Sequence, residues 1–374
     1  MIKILDIATT SQGAYRLLRL RVSEINIDSE YSNTIICPPG SEVKLMKEKG
    51  IPVHAINMSR GLNPLFMPFE IRRLVKAFRE LKPDIIHSHN SKAGGISRLA
   101  AFVYNKKNSK KIIVLHQVHG FVFNKYSGLK RRFFVLMEKN LSRITDYLLF
   151  QNSNDLNFSQ KNGFGKVAQL IKIGNGISFS ELEKLPGSNN KDDLKVIVCV
   201  ARLEPVKNQT MLIKSLAILK EKFEFDKFQC VFIGEGDSDK YLELVKELDL
   251  SKNVIFKGKV SRDDIVKYYS EADLNVLTSL AEGMPRALME AVYMGVPSIG
   301  TKVVGTTEVI KSGISGELIE LGDMEGLAKL MYDLLINEER RLQLVESGIQ
   351  YAKEHFNEQN VIKLLKELYT KEKI

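Results

Sequence analysis

The stretch AEGMPRALMEAVYMGVPSIGT, residues 281–301, predicts an amphipathic helix that leads into a buried strand. Apolar residues recur at helical spacing from Met284 to Val292, so one face of the helix is expected in the core. Pro285 suits the first helical turn, and Gly295 suits the position after the last one. The free N–H groups and the positive dipole end of such a helix form a seat for a phosphate.

Two glutamates flank this predicted seat. Glu282 comes just before the helix and Glu290 lies in its second turn, so both are within reach of a bound phosphate. A purely structural explanation is also open, because acidic residues near a helix start interact favourably with the dipole. Arg286 could moreover pair with Glu290 four residues on. The rest of the chain has to decide between the two interpretations.

Length and composition predict a globular protein of two domains. The chain has 374 residues, which is longer than a domain with a single hydrophobic core usually is. Of these residues 44% are hydrophobic and 27% are charged, as in soluble globular proteins. No run of about 18 uncharged apolar residues predicts a membrane span, and the start MIKILDIATT reads as a strand rather than a secretory signal. Cys37, Cys199 and Cys230 lie in apolar runs, which favours reduced core thiols in a cytoplasmic protein over disulfides or metal ligands.

The net charge of +10 is unevenly distributed, with +15 in residues 1–190 and −5 in residues 191–374. A basic first half predicts an anionic partner, for which nucleic acid and anionic lipid are both candidates. The stretch KYSGLKRRFFVLMEKNLSR, residues 125–143, mixes cations with aromatic and aliphatic residues. It suits a helix lying on a membrane, or an ordinary amphipathic helix with its aromatic rings in the core and its charges in solvent.

Strand-like and helix-like segments alternate along the chain and predict an α/β fold of two tandem doubly wound, Rossmann-like domains. The expected boundaries are an N-terminal domain at 1–182, a linker at 183–194, a C-terminal domain at 195–356 and a helix at 357–374 that crosses back to the first domain. Functional loops are expected at the carboxyl ends of the strands, in a crevice between the sheets.

Arg202 and Lys207 lie five residues apart in the loop that follows the strand KVIVCVA. Two cations at the carboxyl end of a parallel strand predict a diphosphate clamp, although each alone also suits a solvated loop charge. In the first domain, Gly13 follows the first strand, where a turn would let the backbone approach a ligand. The full GxGxxG fingerprint is missing, so NAD binding is not predicted.

Histidines follow two strands of the first domain: His87 and His89 after the fourth, and His119 after the fifth. Their spacing matches no HExxH or His/Cys metal motif, so we expect no metal. The positions of Asp237 and Asp239 predict the N-terminal cap of a helix rather than a magnesium site. The sequence contains no Walker A or GxSxG motif, which argues against P-loop NTPases and the commonest hydrolases.

Taken together, these segments resemble the retaining, nucleotide-sugar-dependent glycosyltransferases of family 4, which share the two-domain GT-B fold with a central cleft. The resemblance runs in order over nearly the whole chain and is more specific in the second domain. The segments that carry it are DIIHSHNSKAGG, VHGF, NGI, VARLEPVKN, GEGDSDKYLELV, FKGKVSRDDI, AEGMPRALMEAVYMGVPSIGT and SGELIE.

The resemblance implies roles for the donor side. Glu282 and Glu290 match the family's E-x7-E element, in which the second glutamate binds the donor ribose and the first lies against the transferred sugar. The pair that holds the diphosphate corresponds to Arg202 and Lys207. The base, which we expect to be uracil, meets the loop from Gly258 to Val260. The whole donor-binding set is Arg202, Lys207, Gly258, Val260, Glu282, Gly283, Met284 and Glu290.

On the acceptor side, His119 matches the family's HG histidine near the sugar and the attacking acceptor. The glycine-rich loop corresponds to Gly13, although Ser11-Gln12-Gly13-Ala14 stands where many members carry paired glycines. The implied catalytic set is His119, Glu282, Arg202 and Lys207. Family members work without a divalent metal, and the leaving phosphate takes the acceptor's proton without a covalent enzyme intermediate.

The implied function is retaining transfer of a hexose or N-acetylhexosamine from a UDP-sugar to a lipid-linked saccharide, as in capsule or lipopolysaccharide synthesis. The protein would be cytoplasmic and peripheral on the inner face of the plasma membrane, held there by the basic N-terminal domain, with no nucleic-acid partner. Transfer to a soluble or protein acceptor is the main alternative, and a nucleotide-sugar epimerase is another. The non-enzymatic alternative is a nucleic-acid-binding module, although the sequence contains no RNP, KH or zinc-finger pattern.

Overall fold

The computed structural model describes residues 1–59, 61, 65–166, 169–182 and 194–371. The chain divides into two α/β units: one is formed by residues 1–174 together with the last helix, and the other by residues 175–357. Each unit is a parallel sheet covered by helices, because its apolar strand runs bury both faces. This agrees with the predicted pair of Rossmann-like domains.

The sheet of the first unit has seven parallel strands in the order β3-β2-β1-β4-β5-β6-β7. The strands are β1 (Ile2–Ile7), β2 (Tyr31–Cys37), β3 (Val53–Ala55), β4 (Ile85–His89), β5 (Ile113–Val118), β6 (Tyr147–Phe150) and β7 (Gln169–Lys172). The strand order reverses between β1 and β4, where Asp6 is the register partner of His87. Ligands of doubly wound sheets bind beside such a switch point.

Helices cover both faces of this sheet. They are α1 (Ser11–Ile27), α2 (Ser41–Glu48), α3 (Met67–Leu81), α4 (Ser91–Lys107), α5 (Gly128–Leu141), α6 (Ser153–Lys161) and α14 (Glu358–Lys371). Ile4 of β1 packs with α14, whereas its neighbour Leu5 packs with α3 and α4. The alternation of side chains along a strand therefore places α1, α2 and α14 on one face and α3 to α6 on the other.

The second unit has a six-stranded parallel sheet in the order β10-β9-β8-β11-β12-β13. The strands are β8 (Lys195–Val200), β9 (Phe228–Ile233), β10 (Val254–Gly258), β11 (Leu274–Leu277), β12 (Ser298–Thr301) and β13 (Glu317–Ile319). The helices are α7 (Gln209–Lys222), α8 (Asp239–Glu247), α9 (Arg262–Glu271), α10 (Arg286–Tyr293), α11 (Thr306–Val309), α12 (Met324–Ile336) and α13 (Glu338–His355). Here the strand order reverses between β8 and β11.

The predicted domain boundary at residue 182 is eight residues too late. Residues 175–182 belong to the second unit, because Ile177 and Leu182 pack with Val198 and Phe356 in one apolar cluster. The Ile177 N–H also donates to the Phe356 carbonyl at 2.8 Å. Of the predicted linker at 183–194, residues 183–193 lie outside the described part of the chain.

The three cysteines are buried free thiols, as the sequence predicts. Burial raises the pKa of Cys37 to about 11 and that of Cys199 to about 12, so neither is a reactive thiolate at neutral pH. Among the helices described, none combines the length and the apolar character that crossing a bilayer requires.

Candidate functional site

The loops that follow β8 and β11 lie side by side at the switch point of the second sheet. Their backbones are joined, because the Leu280 N–H donates to the Val206 carbonyl at 2.8 Å. The Thr278 hydroxyl adds a second link by donating to the Asn208 carbonyl at 2.9 Å. These bonds hold Lys207 of the first loop beside Glu282 of the second.

Lys207 and Glu282 form an ion pair across these two loops. The Lys207 Nζ lies 2.6 Å from Glu282 Oε1, and the Ser279 hydroxyl donates to the same oxygen at 2.5 Å. Only 18% of the lysine side chain and 9% of the glutamate side chain are exposed. A shielded pair of this kind is electrostatically stronger than a surface pair, so its members are held in position before any ligand arrives.

A third loop, after β12, supports Glu282 from behind. The Glu282 N–H donates to the Val304 carbonyl at 3.1 Å. Gly305 has a φ of 84°, and a Cβ on it would lie 2.5 Å from the carbonyl oxygens of Glu282 and Gly283. Only glycine allows the two backbone segments to come this close. Gly305 was not predicted as a site residue, because the Glu282 segment that it contacts is more than twenty residues away in the sequence.

Helix α10 begins at Arg286, with Pro285 at the capping position rather than inside the first turn as predicted. Among the residues described, no side chain caps this helix start, and that a phosphate binds its first N–H groups stays a prediction. The preceding turn is fixed by Asn175, whose Nδ2 donates to the Met284 carbonyl at 3.2 Å. Gly283 and Met284 therefore lie at the mouth of the predicted seat.

Glu290 is buried in the second turn of α10, and its nearest cation is one that the sequence analysis missed. Arg262, at the start of α9, places Nη1 2.8 Å from Glu290 Oε2, whereas Arg286 Nε lies 4.0 Å from Oε1. Burial alone would lower the pKa of Arg262, but the charge and hydrogen bond of Glu290 raise it above its ordinary value. The predicted i, i+4 pair is thus the weaker of two contacts.

Arg202 is half-exposed and forms an ion pair with the nearby carboxylate of Glu204. Its backbone is anchored, because Gln209 Nε2 donates to the Arg202 carbonyl at 2.8 Å and the Tyr241 hydroxyl donates to Gln209 at 3.1 Å. The anchored loop leaves the guanidinium free to change partner. Its role at a diphosphate stays a prediction.

Gly258 ends β10, and its carbonyl accepts the Gly234 N–H at 2.9 Å. The glycine of the GEG loop is needed there, because a Cβ on Gly234 would lie 2.1 Å from the Ala201 carbonyl oxygen. Residues 258–260 are thereby held at the same edge of the sheet as the Arg202 loop. That Gly258 and Val260 contact a base stays a prediction.

The first unit brings its histidines together at the β1/β4 switch point. His89 Nε2 lies 2.6 Å from Asp6 Oδ1, and His89 Nδ1 lies 3.2 Å from His119 Nε2. Gln151 Nε2 is 2.9 Å from the other nitrogen of His119. His119 follows β5 as predicted, whereas His87 and His89 lie within β4 rather than after it, and Asp6 was not predicted at all. A lone carboxylate in the apolar strand IKILDI was the available signal, since a buried charge needs partners.

The same polar cluster joins α14 to the sheet. His87 Nδ1 lies 2.9 Å from the Tyr369 hydroxyl, and Arg21 donates to Glu358 at 2.9 Å and to Gln117 at 3.0 Å. Burial lowers the pKa of His87 well below its ordinary value, so this imidazole is neutral. The last helix is therefore bound to the first unit by buried polar contacts as well as by apolar packing.

Asp6, His87 and His89 also offer one ligand atom each within 4.8 Å of one another, a set that fits a transition metal. Asp6 and His89 already form a hydrogen bond with each other, through Oδ1 and Nε2. Burial lowers the pKa of His89 well below its ordinary value, which also makes its imidazole neutral. The expectation of a metal-free protein stays a prediction.

Gly13 does not lie in an open turn as expected. It lies in the first turn of α1, where its N–H donates to the Thr10 side chain at 3.1 Å. A Cβ on Gly13 would lie 2.6 Å from the Thr10 hydroxyl oxygen. The carboxyl edge of the sheet therefore carries a capped helix start at this point and not a glycine-rich loop. The Gly13 N–H is already bonded to Thr10 and does not face a ligand.

Two family models together match most of the chain. Residues 28–163 match the model described as Glycosyltransferase Family 4, and residues 181–351 match the model described as Glycosyl transferases group 1. The first match falls in the unit with the histidine cluster. The second covers every predicted donor-site residue.

Named relatives agree with these matches. An Escherichia coli protein, UDP-Gal:alpha-D-GlcNAc-diphosphoundecaprenol alpha-1,3-galactosyltransferase, is 30% identical over 71% of this chain and 70% of its own length. The capsular polysaccharide biosynthesis glycosyltransferase CapM of Staphylococcus aureus is 26% identical over 90% of this chain and 88% of its own. Anabaena HepE, solved in complex with UDP and glucose, is 17% identical and superposes with a TM-score of 0.83 over 99% of this chain and all of its own.

Proposed function

The chain belongs to the family 4 glycosyltransferases, and we propose that it moves a hexose or N-acetylhexosamine from a UDP-sugar to a lipid-linked saccharide. Its relatives include capsular polysaccharide enzymes, and its fold is of the GT-B type. Membership of this family favours glycosyl transfer over the epimerase and the nucleic-acid-binding alternatives.

One observation carries the donor proposal: the Lys207–Glu282 pair lies at a sheet switch point next to the uncapped start of α10. A diphosphate bound at that helix start would have the N–H groups on one side and Lys207 on the other. Glu290, one turn further along α10, would accept hydrogen bonds from the ribose hydroxyls. Glu282 would then lie against the transferred sugar.

The proposed chemistry follows from the charges at this place. Glycosyl transfer passes through an oxocarbenium-like state while negative charge builds on the departing diphosphate. Lys207, Arg202 and the dipole of α10 would stabilise that charge without a metal ion. We propose retention of the anomeric configuration, with the leaving phosphate taking the acceptor's proton, so that Glu282 forms no covalent intermediate.

A lipid-linked acceptor is supported by the relative that acts on a diphosphoundecaprenol-linked sugar and by exposed apolar residues on the basic unit. On α5, Leu129 is 82% exposed, Phe133 63% and Leu136 59%. Phe134 between them is buried, so this helix packs one face into the core and leaves an apolar face exposed. The outer face combines these three residues with Arg132, which suits a peripheral membrane contact.

A second exposed apolar group lies at the start of α3. Phe66 and Phe69 are both more than half exposed, and Leu65 beside them is more exposed still. Helices α3 and α5 each follow a strand of one parallel sheet and cover the same face of it, so both of their N-termini lie at its carboxyl edge. We call the exposed residues Leu65, Phe66, Phe69, Leu129, Phe133 and Leu136 the apolar patch.

The donor proposal is tested by thermal unfolding in EDTA with UDP, GDP, ADP and a panel of UDP-sugars. A ligand at 100 times its dissociation constant stabilises the fold by about 2.7 kcal/mol. We expect one UDP-sugar to stabilise the wild type and to lose this effect in Glu290→Gln. Glu317→Gln is the matched control, because it removes another glutamate–arginine pair, at 2.7 Å, from the amino end of β13. Stabilisation by no nucleotide, or only with added metal, would contradict the proposal.

The acceptor proposal needs a separate assay with the donor so identified. Transfer to a polyprenyl-diphosphate-linked saccharide is compared with transfer to the same saccharide in water-soluble form. We expect faster transfer to the lipid-linked form. Equal transfer to the soluble form would favour the soluble-acceptor alternative, and conversion of the donor with no acceptor present would favour an epimerase.

A further inference from the structure

A buried row of hydrogen-bonding groups leads from the sheet of the first unit to His119. Asp6 Oδ1 contacts His89 Nε2 at 2.6 Å, His89 Nδ1 contacts His119 Nε2 at 3.2 Å, and His119 Nδ1 contacts Gln151 Nε2 at 2.9 Å. We propose that Asp6 and His89 are positioning residues that hold His119 as a neutral imidazole with its proton on Nε2.

The position of each proton follows from the group at the end of the row. A carboxylate oxygen can only accept, so His89 carries its proton on Nε2 and donates to Asp6. The remaining nitrogen of a neutral His89 is then an acceptor, so His119 donates to it from Nε2. The lone pair of His119 is left on Nδ1, where Gln151 donates an amide N–H.

The opposite direction would require the Asp6 carboxyl group to donate a hydrogen bond, whereas its surroundings supply donors and a positive charge. Asn33 Nδ2 donates to the second carboxylate oxygen of Asp6 at 2.6 Å, and Arg21 adds a positive charge nearby. The other titratable groups beside Asp6 are His87, at 3.5 Å, and Tyr369, which bonds to His87. Burial keeps the imidazoles of His87 and His89 neutral, which agrees with the proposed direction.

The consequence for catalysis rests on the proposed function, in which His119 lies near the transferred sugar. An imidazolium there would oppose the positive charge of an oxocarbenium-like transition state, because like charges repel strongly away from water. A neutral ring with a fixed orientation avoids this cost. Orientation by a buried carboxylate is a known way to fix a histidine tautomer.

The proposal is tested by NMR on protein labelled with ¹⁵N at its six histidines, with long-range ¹H–¹⁵N correlation to locate each imidazole proton. Signals are assigned by single substitutions. We expect His89 and His119 of the wild type each to carry one proton, on Nε2. A proton on Nδ1 of His119, or protons on both nitrogens at neutral pH, would overturn the proposal.

Two variants test the row itself. Gln151→Glu is nearly isosteric and replaces the donor to Nδ1 by an acceptor, so His119 is expected to take a second proton. Asp6→Asn removes the charge that sets the direction, and we expect a mixture of His119 tautomers and a fall in kcat of at least about tenfold, with the donor KM unchanged. His87→Gln is the control: it changes a buried histidine beside Asp6 that is not a member of the row. An unchanged His119 spectrum in both test variants would contradict the proposal.

A bound metal is a distinct outcome of the same experiment. If added Zn²⁺ shifts the His87 and His89 signals and EDTA reverses the change, those histidines bind metal and the row does not have the proposed role. The donor screen is read through substitution of Glu290, which is not part of the row. A failed screen with the expected tautomers would therefore reject the proposed function and leave the positioning of His119 intact.

Discussion

Arg262 Nη1 lies 2.8 Å from the Glu290 carboxylate, closer than the 4.0 Å of Arg286, the residue one helical turn before Glu290. Within the described ranges, Arg262 Nε and Nη2 are buried without a hydrogen-bond partner. A charged group with spare donors beside the proposed ribose-binding carboxylate both holds that carboxylate in place and is available to a ligand. Arg262 is accordingly the residue that we add to the donor site.

Replacement of Arg262 by Gln should weaken both the fold and donor binding. Glu290 would lose its closest cation while still buried, which costs about 1–3 kcal/mol. We expect a lower urea midpoint and a roughly tenfold rise in the dissociation constant of UDP, measured by calorimetry. Arg286→Gln is the matched control, since its 4.0 Å contact contributes less. Equal effects of the two substitutions would show that Arg262 has no special role.

Replacement of Lys207 by Met should remove a cation from the departing diphosphate. We expect kcat to fall by about 100-fold to 1,000-fold, as when one transition-state donor is lost. The same substitution leaves Glu282 without its ion-pair partner, and urea unfolding of the variant measures that effect on stability separately from the rate. Lys302→Met, which removes a surface pair with Glu320, should leave the rate unchanged. A fall in affinity alone, with kcat unaltered, would argue against a role in the transition state.

The buried ion pair of Arg21 and Glu358 should make α14 essential to the stability of the first unit. Both side chains are nearly inaccessible, and Arg21 also donates to Gln117. Glu358→Leu alone should cost about 3–5 kcal/mol, because it leaves an uncompensated buried charge. Arg21→Met/Glu358→Leu should recover part of this loss, which urea unfolding of the four proteins of the cycle measures. Simple additivity of the two single changes would mean that the pair is not coupled.

Stability should fall as the pH drops below about 6.5. Burial lowers the pKa of His87, His89 and His116 well below the ordinary value, so the unfolded chain binds these protons at a higher pH than the folded chain. Stability rises with pH wherever the unfolded state holds more protons, so it should be level above about pH 7.5. Below pH 6.5 the slope should approach about 4 kcal/mol per pH unit.

Urea unfolding between pH 8 and 5 measures this slope. His116→Gln should reduce it by about a third, because one of three buried imidazoles is then lost. A slope that stays the same in this variant would mean that His116 is not buried as a neutral ring.

Several features of the fold were predictable from local patterns. Parallel strands buried on both faces read as apolar runs such as KVIVCV, and helices read as amphipathic segments between them, so the doubly wound sheets followed from the sequence. The loops with Arg202, Lys207 and Glu282 followed too, because functional loops of such sheets lie at the carboxyl ends of strands.

What the sequence could not supply are pairings between distant residues. Asp6 and His89 are 83 residues apart and meet only through the register of β1 and β4. Arg262 reaches Glu290 from another helix, and Gly305 supports Glu282 from another loop. The domain boundary was misplaced for the same reason, since residues 175–182 look like a polar connection until Ile177 is seen inside the second core.

The apolar patch should bind anionic vesicles in a salt-dependent manner. Insertion of exposed Phe and Leu side chains removes apolar area from water, and nearby Lys and Arg residues each add about 1 kcal/mol at an anionic surface. We expect Phe133→Ser/Leu136→Ser to reduce sedimentation with phosphatidylglycerol vesicles by at least about tenfold. Leu342→Ser, at an exposed leucine of α13 in the other unit, is the control. Binding that survives the double substitution but is abolished by salt would assign the contact to charge alone, and absence of wild-type binding at low salt would remove the membrane proposal.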